Sequence, residues 1–211
     1  MPTNVAALVR LMLVTDDQLL RGRDLVQLAL AAERGGVTSV QVRLKHSTPR
    51  DLAGLVRSLV GALKVPVLVN DRPDVALAAG AAGAHLGPDD MPVRLARSIA
   101  PLGFLLGASV GNEAEADSAA EADYWGVGPW RTSPTKSDAG DALGATGFGR
   151  IVRLAGLRPC IAIGAVRPED VAGIAGSGGK GIAVVSGILS ADDIEAAARR
   201  YAVEVRKALP L

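Results

Sequence analysis

The chain has one cysteine, Cys160, and two histidines, His46 and His85, in 211 residues. A lone cysteine excludes an intrachain disulfide and a cysteine-rich zinc site. Its setting, Pro159-Cys160-Ile161-Ala162-Ile163, reads as a buried strand, which makes it a packed thiol rather than a nucleophile. Two histidines do not make a multi-histidine metal site. Neither sign of charge dominates: 23 Lys and Arg against 22 Asp and Glu leave a net of +1. No global field therefore draws the chain to nucleic acid or an anionic membrane, and any anion site must be local. Long apolar runs are also missing. The longest are Ala-rich and broken well short of about 18 residues, so no spanning segment is expected. The stretch from Met1 to Arg10 lacks the basic start and apolar core of a signal peptide, so the expectation is a cytoplasmic protein.

Hydrophobic residues make up 49% of the chain and charged residues 21%, the balance of a globular protein with a sizeable core. Short apolar runs alternate with Ala/Leu/Arg runs of helical period. The strand candidates are Leu11–Val14, Ser39–Arg43, Val67–Val69, Ala84–Leu86, Leu105–Ala108, Tyr124–Val127, Cys160–Ile163 and Ile182–Val185. Helices are expected near 24–34, 50–63, 73–79, 92–100, 112–121, 147–155, 168–175 and 191–208. Caps and prolines mark several starts, such as Thr48-Pro49 and Arg72-Pro73. Eight strand–helix units of about 26 residues predict an α/β fold, a single (β/α)8 TIM barrel over residues 1–211. Ile182-Ala183-Val184-Val185 is apolar on both faces, as a buried parallel strand should be. An open doubly wound sheet would need a Gly-rich turn after the first strand, and Thr15-Asp16-Asp17-Gln18 stands there instead. The one long irregular stretch, 128–146, has the length of a functional or moving loop.

A barrel places its chemistry at the C-terminal ends of its strands. Alternation along the second strand sends Gln41, Arg43 and Lys45 to one side, toward the mouth. Two cations there require an anionic partner. Asn70-Asp71 comes after the third strand, and His85-Leu86-Gly87-Pro88-Asp89-Asp90 spans the end of the fourth and the loop beyond it. Two carboxylates facing the two cations point to Mg2+ bridging to a ligand phosphate, since Mg2+ takes one or two carboxylates plus phosphate oxygens and water. For Asp90 a helix N-cap before Met91-Pro92 is the competing role. Ser109 comes after the fifth strand. Gly128-Pro129-Trp130-Arg131-Thr132-Ser133-Pro134-Thr135-Lys136, after the sixth, offers three hydroxyls and two cations to a phosphate. Gly164-Ala165 and Val185-Ser186-Gly187, with a helix start near Ser190, match the phosphate turns usual for this fold. The similar-looking Ser177-Gly178-Gly179-Lys180-Gly181 precedes the eighth strand, so it is a structural turn on the opposite face. The pattern describes two anion sites at one mouth, hence two phosphorylated small-molecule substrates, one of them a diphosphate. No strong base is evident.

Gln41-Val42-Arg43-Leu44-Lys45, Asn70-Asp71, His85-Leu86-Gly87 with Asp90, Gly128-Pro129 through Thr135-Lys136, and Val185-Ser186 together resemble thiamine phosphate synthase, in order and in spacing. The resemblance implies a TIM barrel that joins hydroxymethylpyrimidine diphosphate to hydroxyethylthiazole phosphate and releases pyrophosphate. It implies that Gln41 and Asn70 contact the pyrimidine or its diphosphate arm. Arg43, Lys45 and Lys136 would hold the diphosphate and act in its departure, with Ser109 bonding the same substrate. Asp71 and Asp90 would bind Mg2+. Ser133, Thr135, Gly164, Ala165, Val185 and Ser186 would hold the thiazole phosphate.

The chain departs from the family pattern at four places. Pro88 stands for Gln, Ser133 for Thr, Arg131 for an apolar or aromatic residue, and Ala165 for the second Gly of a Gly-Gly turn. A thiazole tautomerase branch has a histidine where Pro129 stands and usually lacks part of the diphosphate set, so the synthase is favoured over it. A non-catalytic relative would be marked by loss of an aspartate, and both are present. A sugar-phosphate isomerase would need a Glu or His base. Oligomeric state is left open.

Overall fold

The computed structural model describes residues 4–132 and 141–210. Eight parallel strands close on themselves in sequence order: β1 Leu11–Val14, β2 Ser39–Val42, β3 Val67–Asn70, β4 Gly83–Leu86, β5 Leu105–Val110, β6 Tyr124–Val127, β7 Cys160–Ala162 and β8 Gly181–Val184. Met12 of β1 stands beside Ser39 of β2 on one side and Ala183 of β8 on the other, which completes the ring. The helices are α1 Val5–Leu8, α2 Asp17–Leu20, α3 Leu25–Arg34, α4 Pro49–Ala62, α5 Pro73–Ala79, α6 Val93–Ile99, α7 Gly144–Ala155, α8 Val171–Gly176, α9 Ser186–Leu189 and α10 Ile194–Ala208. The fold is the (β/α)8 barrel that the strand–helix rhythm indicates. No helix among the described residues is long and apolar enough to cross a membrane.

Each strand buries both faces, and the two faces feed different cores. Met12, Val14, Leu68, Leu105, Tyr124, Ile161 and Ala183 fill the barrel interior with Val9, and Val5 and Leu8 of α1 pack beneath them. Leu11, Leu13, Val40, Val42, Leu106, Val127 and Ile182 face outward into the helix layer. Cys160 lies in that outer layer, 1% exposed, and burial pushes its thiol up to about 12. It is the packed, unreactive thiol expected of its strand. The turn at 177–181 is structural as well. Its backbone is tied to Ile174 and Cys160 carbonyls, and a side chain at Gly181 would meet the Val9 carbonyl.

Three helical expectations change. The 112–121 helix shrinks to a 3-10 turn, Glu113–Glu115, with irregular turns after it. The segment offers only alanines as an apolar stripe, and side chains from elsewhere take its carbonyls. Trp125 Nε1 donates to the Ala119 oxygen, and Arg158 donates to the oxygens of Ala120 and Ala122. Next, the helical start near Ser190 falls in two other places: α9 begins at Ser186, directly after β8, and α10 at Ile194, with Asp193 accepting from Ala196 N. Finally, α1 and α2 are additional. Four residues each, they are too short to register as a helical period, and α2 rests on Asp16, whose carboxylate caps Gln18 N and Leu19 N.

Candidate active site

The C-terminal ends of the strands surround one cavity of about 240 Å3. Asp16, Gln41, Arg43, Asn70, His85, Pro88 and Ser109 line one part of it, and Pro129, Gly164, Ala165, Val185, Ser186 and Gly187 another. Arg43 from one of the two anion sites that the sequence separates, and Gly164, Ala165, Val185 and Ser186 from the other, thus share one space. Ser133, Thr135 and Lys136 lie outside the described residues. The base of their loop is anchored by Leu143 N donating to the Pro129 oxygen and Gly144 N to the Trp130 oxygen.

Arg43 sits just past β2, and its Nη1 donates to Asp16 Oδ2 at 3.1 Å. The anionic partner that the cations require is therefore Asp16, just past β1. The alternation that would carry Lys45 to the same side stops at Val42. Lys45 falls in an exposed turn and does not line the cavity, although its charge reaches Asp71. Gln41, 4% exposed, points into the barrel interior, where its Nε2 donates to Met12 Sδ at 3.5 Å.

Asp71 and Asp90 meet at the mouth, carboxyl beside carboxyl. Asp71 takes a left-handed backbone, φ 63°, and its N–H donates to the His85 carbonyl at 2.8 Å. Aspartate tolerates that conformation better than most residues, and such strain gathers at functional sites. Burial, reinforced by the Asp90 carboxylate, pushes the Asp71 carboxyl up to about 6 against the opposing charges of Lys45 and Arg43. Asp90 is not a helix cap. Pro92 occupies the N-cap position of α6, while Asp90 Oδ2 accepts from Gly87 N at 2.6 Å. Among the described residues no group of three or more His, Cys, Asp or Glu is placed to hold a metal. A bare carboxylate pair suits Mg2+, which completes its shell with water and ligand oxygens, better than metals that demand nitrogen or sulfur ligands.

His85 lies in the cavity wall between Ser109 Oγ and the Tyr124 hydroxyl, 3.0 Å from each. Tyr124 and Asp16 are the residues that motif reading misses. Tyr124 reads as an apolar strand residue, and Asp16 gains meaning only beside Arg43. Burial raises the Tyr124 hydroxyl above its ordinary value, so it stays protonated.

Across the cavity, Gly164 has φ 101°, and a Cβ there would stand 2.7 Å from the Pro129 Cβ. Ala165 comes next at φ 46°, left-handed and carrying its methyl. The neighbouring departure, Arg131, points away from the cavity. It pairs with Asp170, which also accepts from Arg167 N and is hydrogen-bonded to Trp130. Trp130 is buried and packs edge-on against Phe148, so its bulk goes into the core.

A family model described as thiamine monophosphate synthase matches residues 11–188. The chain belongs to the thiamine monophosphate synthase family. It is an enzyme of that family. It is 45% identical to the thiamine-phosphate synthase of Chloroflexus aurantiacus over 196 residues, which cover 90% of each chain. It is 41% identical to that of Azorhizobium caulinodans over 194 residues, 90% of this chain and 91% of the relative. The solved thiamine phosphate pyrophosphorylase from Pyrococcus furiosus superposes with a TM-score of 0.88 at 32% identity, covering 98% of this chain and all of the other. A 3-hexulose-6-phosphate synthase, at a TM-score of 0.66 and 16% identity, shares the fold alone with this family member.

Proposed function

We propose that the chain joins hydroxymethylpyrimidine diphosphate to hydroxyethylthiazole phosphate, giving thiamine phosphate and pyrophosphate. The observation that carries this reading is the asymmetry of the cavity. One wall holds Arg43, whose charge, like that of Lys45, reaches the Asp71/Asp90 pair. The other is built of uncharged turns, Gly164-Ala165 and Val185-Ser186. A diphosphate leaving group needs the first wall, and a monophosphate needs only backbone N–H groups and hydroxyls on the second.

In this reading Gln41 and Asn70 orient the pyrimidine, and Arg43 and Lys45 receive the negative charge that grows on the departing diphosphate. Ser109 donates to the same substrate. Lys136, Ser133 and Thr135 belong to the loop outside the described residues, and their roles here rest on the family resemblance. Asp71 and Asp90 are the residues that would hold Mg2+. Bound there, Mg2+ supplies charge neutralisation for the leaving pyrophosphate. The thiazole nitrogen then captures the electron-poor methylene carbon, and no strong base is needed for either event. His85, hydrogen-bonded through both ring nitrogens, fits that requirement.

The test is pyrophosphate release from hydroxymethylpyrimidine diphosphate, with and without thiazole phosphate, in Mg2+ and in EDTA. Release that needs both the second substrate and the metal, with thiamine phosphate formed, is expected. Tight diphosphate binding with no release, whatever the second substrate, would overturn the transferase reading.

A further inference from the structure

Ser109 does not meet the cavity alone. Its Oγ lies 3.0 Å from His85 Nε2, and His85 Nδ1 lies 3.0 Å from the Tyr124 hydroxyl. The Gln41 side chain stands close enough to act on the Tyr124 hydroxyl. Side chains from β2, β6, β4 and β5 thus form one polar line through the barrel interior, ending at the cavity. Its inner members are buried, Tyr124 at 0% exposure, Gln41 at 4% and His85 at 8%. Space for the imidazole is made by glycines on the neighbouring strands. A Cβ at Gly107 would stand 2.2 Å from Tyr124 Cζ and 2.5 Å from His85 Nδ1, and one at Gly126 3.0 Å from His85 Cε1. Burying three polar side chains where leucine or valine would pack is costly unless every group is paired, so the line has a directional use.

We infer that His85 and Tyr124 are positioning residues that hold the Ser109 hydroxyl as a hydrogen-bond donor to the diphosphate substrate. The inference rests on the proposal that this cavity binds the pyrimidine diphosphate. An anionic ligand needs a donor, and a serine hydroxyl has one proton. If His85 Nε2–H donates to Ser109 Oγ, the serine proton can go only to the ligand. His85 Nδ1 is then an acceptor and takes the Tyr124 proton. The Tyr124 oxygen in turn accepts one Gln41 amide proton, and the other goes to Met12 Sδ. The same line joins Gln41, at the pyrimidine end, to Ser109, so seating the base and orienting the hydroxyl become one event. In this arrangement His85 orients the hydroxyl and transfers no proton.

The test uses the full chain and four variants. Tyr124→Phe keeps the ring and removes the relay. Its kcat/KM for the pyrimidine diphosphate is expected to fall about tenfold, the effect of one misoriented hydrogen bond, with KM for thiazole phosphate unchanged. Ser109→Ala is expected to fall further. The Tyr124→Phe/Ser109→Ala double variant is expected to be no slower than Ser109→Ala alone, because Tyr124 acts through Ser109. Multiplying losses in the double variant, or a parallel rise in KM for the thiazole phosphate, would overturn the relay. His85→Gln and His85→Asn add an independent arm. A glutamine nitrogen can stand near the Nε2 position and an asparagine nitrogen near Nδ1, so Gln should retain more activity than Asn; the reverse order would refute the direction drawn. Should the wild-type chain bind the diphosphate without forming thiamine phosphate, the transferase reading fails. The relay is then judged by the same pattern in calorimetric Kd values. A wild-type chain that binds no diphosphate overturns both.

Discussion

Arg43 Nη1 lies 3.1 Å from Asp16 Oδ2, a contact between the loops after β1 and β2 in which the side chains are 20% and 10% exposed. The same aspartate caps α2 through its other oxygen. One carboxylate therefore fixes both the first loop and the cation proposed to hold the diphosphate. Asp16→Asn keeps the cap, since Asn serves there as well as Asp, but lowers the charge facing Arg43. It is expected to raise KM for the pyrimidine diphosphate severalfold with stability nearly unchanged. Asp16→Ala loses both functions and should cost about 1–3 kcal/mol of unfolding free energy in urea. Equal destabilisation by the two variants would show that the cap is not what Asp16 contributes to stability.

Asp71 carries the carboxyl raised to about 6. Mg2+ needs the ionised form, so calorimetric Mg2+ affinity should fall as pH drops through 6, with protons released on binding. Asp71→Asn should abolish Mg2+-dependent turnover and leave the fold intact. The sign for stability is opposite to that of an ordinary salt-bridged acid. A raised carboxyl makes the metal-free chain lose stability as pH rises from about 4 to about 6. In EDTA, Asp71→Asn should remove that part of the slope. Wild-type turnover in the variant would sink the metal assignment.

Gly164 and Ala165 make opposite demands on substitution. Gly164→Ala would place a methyl 2.7 Å from Pro129 Cβ at φ 101° and should destabilise by about 2–4 kcal/mol. Ala165→Gly relieves a left-handed alanine at φ 46° and should stabilise by about 0.5 kcal/mol after the entropy of the new glycine is counted. Thermal unfolding of the two variants checks both signs. The second should also lower KM for the thiazole phosphate if the Ala165 methyl crowds that substrate.

Asp170 pairs with Arg131 away from the cavity. Burial raises its carboxyl, but hydrogen bonds from Arg131, the Arg167 backbone and Trp130 outweigh this and hold it below its ordinary value of 3.8. The stability it contributes is therefore full above that value and lost as pH falls through the lower folded-state value. Asp170→Asn should lower stability only modestly at neutral pH, because the Arg131 side chain is 44% exposed. Its stability should decline less steeply than wild type below pH 4, with kcat unchanged. An unaltered acid limb in guanidinium titrations would contradict the assignment.

The strands were legible because barrel strands bury both faces, and runs such as Leu11–Val14 are apolar and buried throughout. The lining of the cavity was legible where polar or small residues stand at the C-terminal end of a strand or just past it: Gln41, Arg43, Asn70, Ser109, Gly164, Ala165, Val185 and Ser186 all line it. Lys45 was misplaced because strand alternation fails one residue past the ladder. The 112–121 helix was misread because Arg158 and Trp125, distant or outside the segment, take its carbonyls.

The sequence alone determined the barrel, its eight units and the end of the barrel where charge and hydroxyls collect, because period and strand-end position are local properties of the chain. Only tertiary structure decided which groups meet. Arg43 finds Asp16, 27 residues away; Asp90 stands beside Asp71 rather than capping α6; Arg131 pairs with Asp170; and His85 reaches Tyr124, 39 residues on. Hydrogen bonds and ion pairs act over about 3 Å, and only closure of the sheet brings such distant residues within that range.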